Sequence, residues 1–243
     1  MKVGIIIPCY NEEKRLNLRA FRLCLERFKS FNLCFVNDGS SDNTVEVLQS
    51  LKEDYKSRVS IIDKSLNEGK AAAIRDGANY LHQNTNIGYI GYLDADLSTD
   101  FEDFNELLES LKSDRKLIMV FGSRNCGTNN IERNPLRKLF STIIMKFIQL
   151  ILQLPIKDTQ CGAKVFRSQY VPVMYNSTFK TRWLFDVEQF YRLKYHFSDK
   201  NLMDHIKEQP LNKWNHVDDS KLTIKDSVQI PFKIIQVWYT YSF

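Results

Sequence analysis

The sequence predicts an α/β fold with a doubly wound, mostly parallel sheet flanked by helices. Three observations carry this: short β-branched runs, helical periodicity between them, and polar clusters where the runs end. Val3 to Ile7 is the first run, stopped by Pro8. Leu16, Leu23, Phe28 and Phe31 then recur near helical spacing, ahead of a second run, Leu33 to Val36. Asp42 or Asn43 can cap a helix starting at Thr44. The runs Val59 to Ile62, Ile87 to Leu93 and Leu117 to Phe121 continue the series, with helices expected over Ala71 to Leu81 and from Phe101. In such sheets ligands sit beyond the carboxyl ends of the strands. The polar clusters Cys9-Tyr10-Asn11-Glu12, Asn37 to Asp42 and Asp94-Ala95-Asp96 fall there.

The second half is less regular. A helix is expected over residues 136–154, with Arg137, Lys138, Ser141, Thr142 and Lys146 opposite a broad apolar face that includes Leu139, Phe140, Ile143 and Phe147. Lys146 interrupts any membrane span, so this helix either covers the sheet or lies in a bilayer interface. The aromatic stretch 230–243 has the same two readings, a docked terminal helix or a segment seated at lipid headgroups. No Gly/Ser/Pro-rich linker divides the chain, so residues 1–243 read as one domain.

Composition excludes some partners. The balance of 34 Lys+Arg against 29 Asp+Glu is mild and scattered, which argues against nucleic acid. Cys9, Cys24, Cys34, Cys126 and Cys161 lack CxxC spacing and fit reduced core thiols in a cytoplasmic protein. Met1-Lys2 runs straight into a short apolar stretch without a signal-peptide pattern.

Asp94 and Asp96 follow the apolar run 87–93, where alternation would turn both carboxylates to one side. Two hard oxygen ligands suit Mg²⁺ or Mn²⁺; the plain alternative is that Asp96 or Ser98 caps the next helix. Asp38 can accept from a base or ribose, and Glu12 would lie beside it if the first two strands are neighbours. Asn67-Glu68-Gly69-Lys70 enters a helix, where Gly69 allows close approach and Lys70 can reach a phosphate.

Four ordered motifs, Ile6-Ile7-Pro8-Cys9-Tyr10-Asn11-Glu12-Glu13, Val36-Asn37-Asp38-Gly39-Ser40-Ser41-Asp42, Asn67-Glu68-Gly69-Lys70 and Asp94-Ala95-Asp96, closely resemble the family 2 inverting glycosyltransferases with a GT-A fold. Gly122-Ser123-Arg124, residues 158–166, residues 182–188 and Ser220-Lys221-Leu222 look like the dolichyl-phosphate β-glucosyltransferase branch, near the dolichyl-phosphate mannose synthases. The resemblance implies a nucleotide-sugar-binding half, 1–125, and an acceptor- and membrane-facing half, 126–243, with a C-terminal amphipathic-helix subdomain. It implies that Pro8, Tyr10, Asn11, Glu12, Asp38, Lys70, Asp94, Ala95 and Asp96 bind the nucleotide sugar, UDP-glucose or GDP-mannose, with the metal on Asp96 and Asp94. Arg124, Arg137 and Ser141 match positions that hold the acceptor phosphate. Ala163 stands where the branch carries Phe, and Phe179 stands where processive synthases place Gln, which argues against polymer synthesis.

The expectation is transfer of a hexose, with glucose from UDP-glucose preferred, to a polyprenyl or dolichyl phosphate. The reaction would take place at the cytosolic membrane face, with peripheral lipid contact and room for a membrane-protein partner. A phosphate acceptor is already anionic near neutrality, its second pKa being about 6, so it needs no general base. The alternative is a peripheral or soluble enzyme that adds a sugar to a glycan hydroxyl in cell-surface polysaccharide assembly. A carboxylate must then take the proton. Asp158, Asp186 and Glu188 are the candidates, with a salt bridge to Arg182 or Arg192 the plain role for the last two, while the resemblance implies that Asp94 lies near the diphosphate and sugar.

Overall fold

A computed structural model describes residues 1–83, 86–124, 135–182, 184–197, 202–213 and 224–242. The first half alternates strand and helix as the sequence predicts: β1 (Lys2–Cys9), α1 (Leu18–Arg27), β2 (Phe31–Asp38), α2 (Thr44–Asp54), β3 (Val59–Lys64), α3 (Lys70–His82), β4 (Ile87–Tyr92), α4 (Phe101–Ser113) and β5 (Met119–Ser123). The second half adds α5 (Pro135–Leu152), β6 (Lys164–Arg167), α6 (Val171–Tyr175), α7 (Phe185–His196), β7 (Ile206–Pro210) and α8 (Ile224–Ser242). Among the described residues the strands form one sheet in the order β3-β2-β1-β4-β6-β5-β7.

Strand alternation divides the core between the two faces of the sheet. Val3, Ile5 and Ile7 of β1 pack with Phe21 of α1, Leu48 and Leu51 of α2 and Phe104, Leu107, Leu108 and Leu111 of α4. Ile6 faces the other way, with Ala73, Ile74 and Ala78 of α3, Ile148 and Leu152 of α5, and Phe185 and Phe190 of α7. Each fully buried Leu, Ile or Phe contributes roughly 1.5–3 kcal/mol, so both faces are needed to stabilise one sheet. Cys9, Cys24, Cys34 and Cys161 are buried thiols of the core, while Cys126 lies outside the described residues.

β1 pairs with β2 on one side and β4 on the other, so the strand order reverses there. That reversal opens a crevice at the carboxyl edge of an open sheet. The sequence did not reveal β6 and β7. β6 runs antiparallel between β4 and β5, where a short strand of mixed polarity, Lys164 to Arg167, gave no clean periodic signal. Its insertion brings the preceding residues 158–163 back over the crevice.

The β4/β6 pairing depends on a missing side chain. A Cβ at Gly91 would press on the Lys164 carbonyl and on the Phe104 ring. Gly91→Ala is expected to lose about 1–3 kcal/mol, the cost of forcing atoms into a packed core, read as a lower midpoint in thermal denaturation.

Candidate active site

Three loops at the carboxyl edge are laced together by side-chain to backbone hydrogen bonds. Asn11 adopts a left-handed conformation (φ 51), which Asn tolerates better than most residues. Its N–H donates to Ser40 Oγ (2.9 Å) and its Oδ1 accepts from the Ser41 N–H (2.9 Å). The Glu12 N–H donates to Thr44 Oγ1 (2.8 Å) and the Glu13 N–H to Asp42 Oδ2 (3.1 Å). Pro8 remains in β1 opposite Val36, and Tyr10 is exposed above it. β1 and β2 are neighbours, but Glu12 lies in the loop past β1 and meets Arg15 (3.4 Å), which also approaches Asp96 (3.5 Å).

Asp38 ends β2 with almost no exposure. Its oxygens accept the N–H groups of Glu68 (3.1 Å) and Gly69 (2.6 Å), and Lys64 Nζ lies 3.4 Å away. Lys64 also meets Glu68 (2.7 Å) and Asp76 (3.0 Å). Asp38 therefore holds the turn that starts α3. Gly69 occupies that turn at φ 95, open to glycine and strained for other residues. Arg182 lies over it and donates from Nη2 to the Asn67 carbonyl (2.9 Å).

Lys70, the first residue of α3, reaches across to form an ion pair with Asp94 Oδ1. Burial alone would lower its pKa, but the charges of Asp94, Asp186 and Asp96 outweigh burial and hold it above the usual lysine value. β4 ends at Tyr92, so a turn aims the two aspartates, rather than the strand alternation the sequence suggested. Within it the Leu97 N–H donates to the Asp94 carbonyl (3.1 Å), with Leu97 at φ 51, a conformation costing of order 1–3 kcal/mol. Asp96 does not cap α4. Its Oδ1 accepts from the Ser98 N–H (2.9 Å), and Asp100 is the cap, accepting from the Asp103 N–H (2.8 Å). Ala95, between the aspartates, is buried.

The second half supplies the opposite wall. Gly162 lies so close to Asp94 that a Cβ there would collide with the carboxylate. Asp186 accepts from the Tyr92 hydroxyl and from Lys164 Nζ (2.7 Å). Burial and the Asp186 charge push the Tyr92 phenol well above its usual value.

Two residues expected to act as bases are tied into the framework. Asp158 accepts from the Arg124 N–H (3.0 Å), Nε (2.8 Å) and Nη2 (2.8 Å). Burial would raise the Asp158 carboxyl, but Arg124's hydrogen bonds and charge overcome it and leave it below the usual range. That engages Arg124 with a carboxylate as well as placing it at the crevice. Glu188 has no exposure and accepts from the N–H groups of Lys180 and Thr181 (both 2.9 Å), Thr181 Oγ1 (2.8 Å) and the Tyr241 hydroxyl (3.1 Å). Its role is to clamp residues 180–181, with Arg192 4.0 Å away, the structural pairing foreseen as its plain alternative. The side chains of Arg137 and Ser141 lie outside the described residues.

Residues 4–172 match the sequence pattern described as glycosyl transferase family 2. The chain belongs to that family. This glycosyltransferase is 32% identical to a dolichyl-phosphate beta-glucosyltransferase of Trichomonas vaginalis over 97% of its own length and 72% of the relative's. It is 29% identical to the human dolichyl-phosphate beta-glucosyltransferase over 91% of its length and 69% of that protein. Among solved structures it resembles glucosyl-3-phosphoglycerate synthase of Mycobacterium tuberculosis in complex with Mn²⁺, uridine diphosphate and phosphoglyceric acid. That match has a TM-score of 0.71 and 13% identity, covers 98% of this chain and 78% of the other, and shows the GT-A fold.

Sequence reasoning passed over Tyr92, Lys164 and Arg15 in this glycosyltransferase. Lys164 offered one signal, a lysine inside the otherwise apolar run Ala163 to Phe166, where a charge is buried only with a partner. The Arg124–Asp158 pair gives a pH test. Asp158 is depressed when folded, so its contribution is complete above the ordinary Asp value of about 3.9 and fades as pH falls through the folded value. Arg124→Met should cost about 1–3 kcal/mol at neutral pH and move the acid-unfolding midpoint upward, measured by circular dichroism across a pH series.

Proposed function

We propose that this glycosyltransferase moves glucose from UDP-glucose to a polyprenyl or dolichyl phosphate, with inversion, at the cytosolic face of a membrane. The likeness to dolichyl-phosphate beta-glucosyltransferases along nearly the whole chain is the observation that carries the reading. In it, the β1 and β2 loops with Asp38 receive the nucleoside, and Lys70, at a helix start beside Asp94, faces the diphosphate.

A divalent cation fits the donor set. Asp96 presents a partly exposed carboxylate beside Asp94, both hard oxygen ligands. Among the described residues no cluster of three or more His, Cys, Asp or Glu makes a closed cage. Mg²⁺ or Mn²⁺ held by Asp96, with Asp94 beside it, would take its remaining ligands from phosphate and water and neutralise charge on the departing diphosphate.

An anionic acceptor accords with how the carboxylates are used. Asp158 is held by Arg124, Glu188 by backbone N–H groups, and Asp186 by Lys164 and Tyr92. A sugar hydroxyl would need one of them to accept a proton, whereas a phosphate already carries negative charge. The exposed Phe232, Trp238 and Tyr239 of α8 and Ile143 and Leu150 of α5 support peripheral seating at lipid. Among the described residues no helix is long and apolar enough to cross a membrane.

The test incubates the purified protein with Mn²⁺, radiolabelled UDP-glucose and a short polyprenyl phosphate, and counts label extracted into organic solvent. Metal-dependent lipid label is expected, falling by at least about 10²-fold in Asp96→Ala, the scale for losing one group that stabilises transition-state charge. Label appearing only on an unlipidated sugar acceptor would overturn the acceptor assignment.

A further inference from the structure

Lys164 is a fully buried ammonium on β6, between the equally buried Ala163 and Val165. It donates to the carbonyls of Thr159 (2.9 Å) and Cys161 (2.8 Å) and to Asp186 Oδ1 (2.7 Å). Those three acceptors use all three of its N–H groups. Tyr92 is its cross-strand partner in the β4/β6 register, with the ring centroid 5.4 Å from the ammonium and the hydroxyl on the same Asp186 oxygen.

A buried Lys–Asp pair is a poor device for stability, because desolvating both ions offsets most of their attraction and apolar replacements often do as well. What this pair does is geometric. The Thr159 and Cys161 carbonyls hold the turn that sets Gly162 against Asp94, while Asp186 lies in the first turn of α7 and its charge acts on Lys70, the partner of Asp94. One ammonium thus ties together two walls of the same crevice.

We propose that Lys164 is a positioning residue for sugar transfer: its ammonium fixes the 159–162 turn and the Asp186 carboxylate together, and so sets where Asp94 and Lys70 meet the donor. This rests on the glycosyltransferase reading of the crevice. Lys164 acts through these groups and need not touch the substrate.

The test compares the full-length chain with Lys164→Met, Asp186→Asn and the double variant. Three quantities are read: thermal midpoint, affinity for UDP with Mn²⁺ by calorimetry, and kcat and KM for UDP-glucose with polyprenyl phosphate. Lys164→Met should lower the thermal midpoint and reduce kcat by on the order of 10²-fold, the cost of misplacing reacting groups by about an ångström. The double variant exchanges the ion pair for neutral side chains, so its thermal midpoint should recover while kcat stays low. Recovery of kcat together with the midpoint would overturn the proposal, since the pair would then be structural only. If Lys164→Met does not fold, the double variant carries the comparison alone. If the wild type binds UDP with Mn²⁺ but transfers nothing to the lipid, the acceptor reading fails and the affinity decides. UDP affinity at least about tenfold weaker in the double variant than in the wild type would support positioning, and equal affinity would overturn it.

Discussion

The ion pair between Lys70 and Asp94 closes the crevice made where the strand order reverses, and most of the site is arranged around it. Lys70 begins the helix after β3, and Asp94 lies in the turn after β4, two elements that β2 and β1 separate in the sheet order. Asp96 and Asp186 also bear on the same ammonium. Three carboxylates gathered around one cation would repel one another in a low-dielectric cleft, and a cationic centre makes their convergence tolerable. A nucleoside diphosphate with a divalent cation would enter a site where both signs of charge are already held in place.

The antiparallel strand β6 is what completes that site. A purely parallel sheet would supply the loops after β1, β2 and β4 and nothing opposite them. Insertion of β6 between β4 and β5 brings residues 158–163 back over the carboxyl edge, with Gly162 on Asp94 and Asp158 on Arg124. Arg182 makes a second tie, from the segment before α7 to the Asn67 carbonyl in the turn before α3. Residues from the second half of the chain therefore form one wall of the crevice that the first half opens.

The alternating half was legible because its signals are local. β-branched runs, caps and glycine turns report themselves within a few residues, and the strands and helices from β1 to β5 fall close to where periodicity puts them. The motif residues Asp38, Lys70, Asp94 and Asp96 do converge on one edge of the sheet. What the sequence hid is the partner of each charge. Asp158, Asp186 and Glu188 look alike as acids in a polar context, yet one grips Arg124, one Lys164 and Tyr92, and one two backbone N–H groups. Those partners lie from 7 to 94 residues away along the chain, and no local pattern encodes such pairings. The four-residue strand β6 was hidden for the same reason, since its register is set by β4 and β5.

Glu188 also connects the terminal helix to the crevice. Tyr241 of α8 stacks on Tyr191 and donates its hydroxyl to Glu188, whose oxygens hold the Lys180 and Thr181 N–H groups. The next residue, Arg182, reaches the Asn67 carbonyl beside the turn that Asp38 clasps. An uncompensated buried carboxylate is costly, so Glu188 keeps the 180–181 backbone and Tyr241 in a fixed relation as long as α8 stays docked. Phe232 and Tyr239 of that helix are exposed, while its inward residues Ile234 and Val237 are packed in the core. The exposed face of α8 and the turn that Asp38 clasps are thus joined through one helix and one short segment.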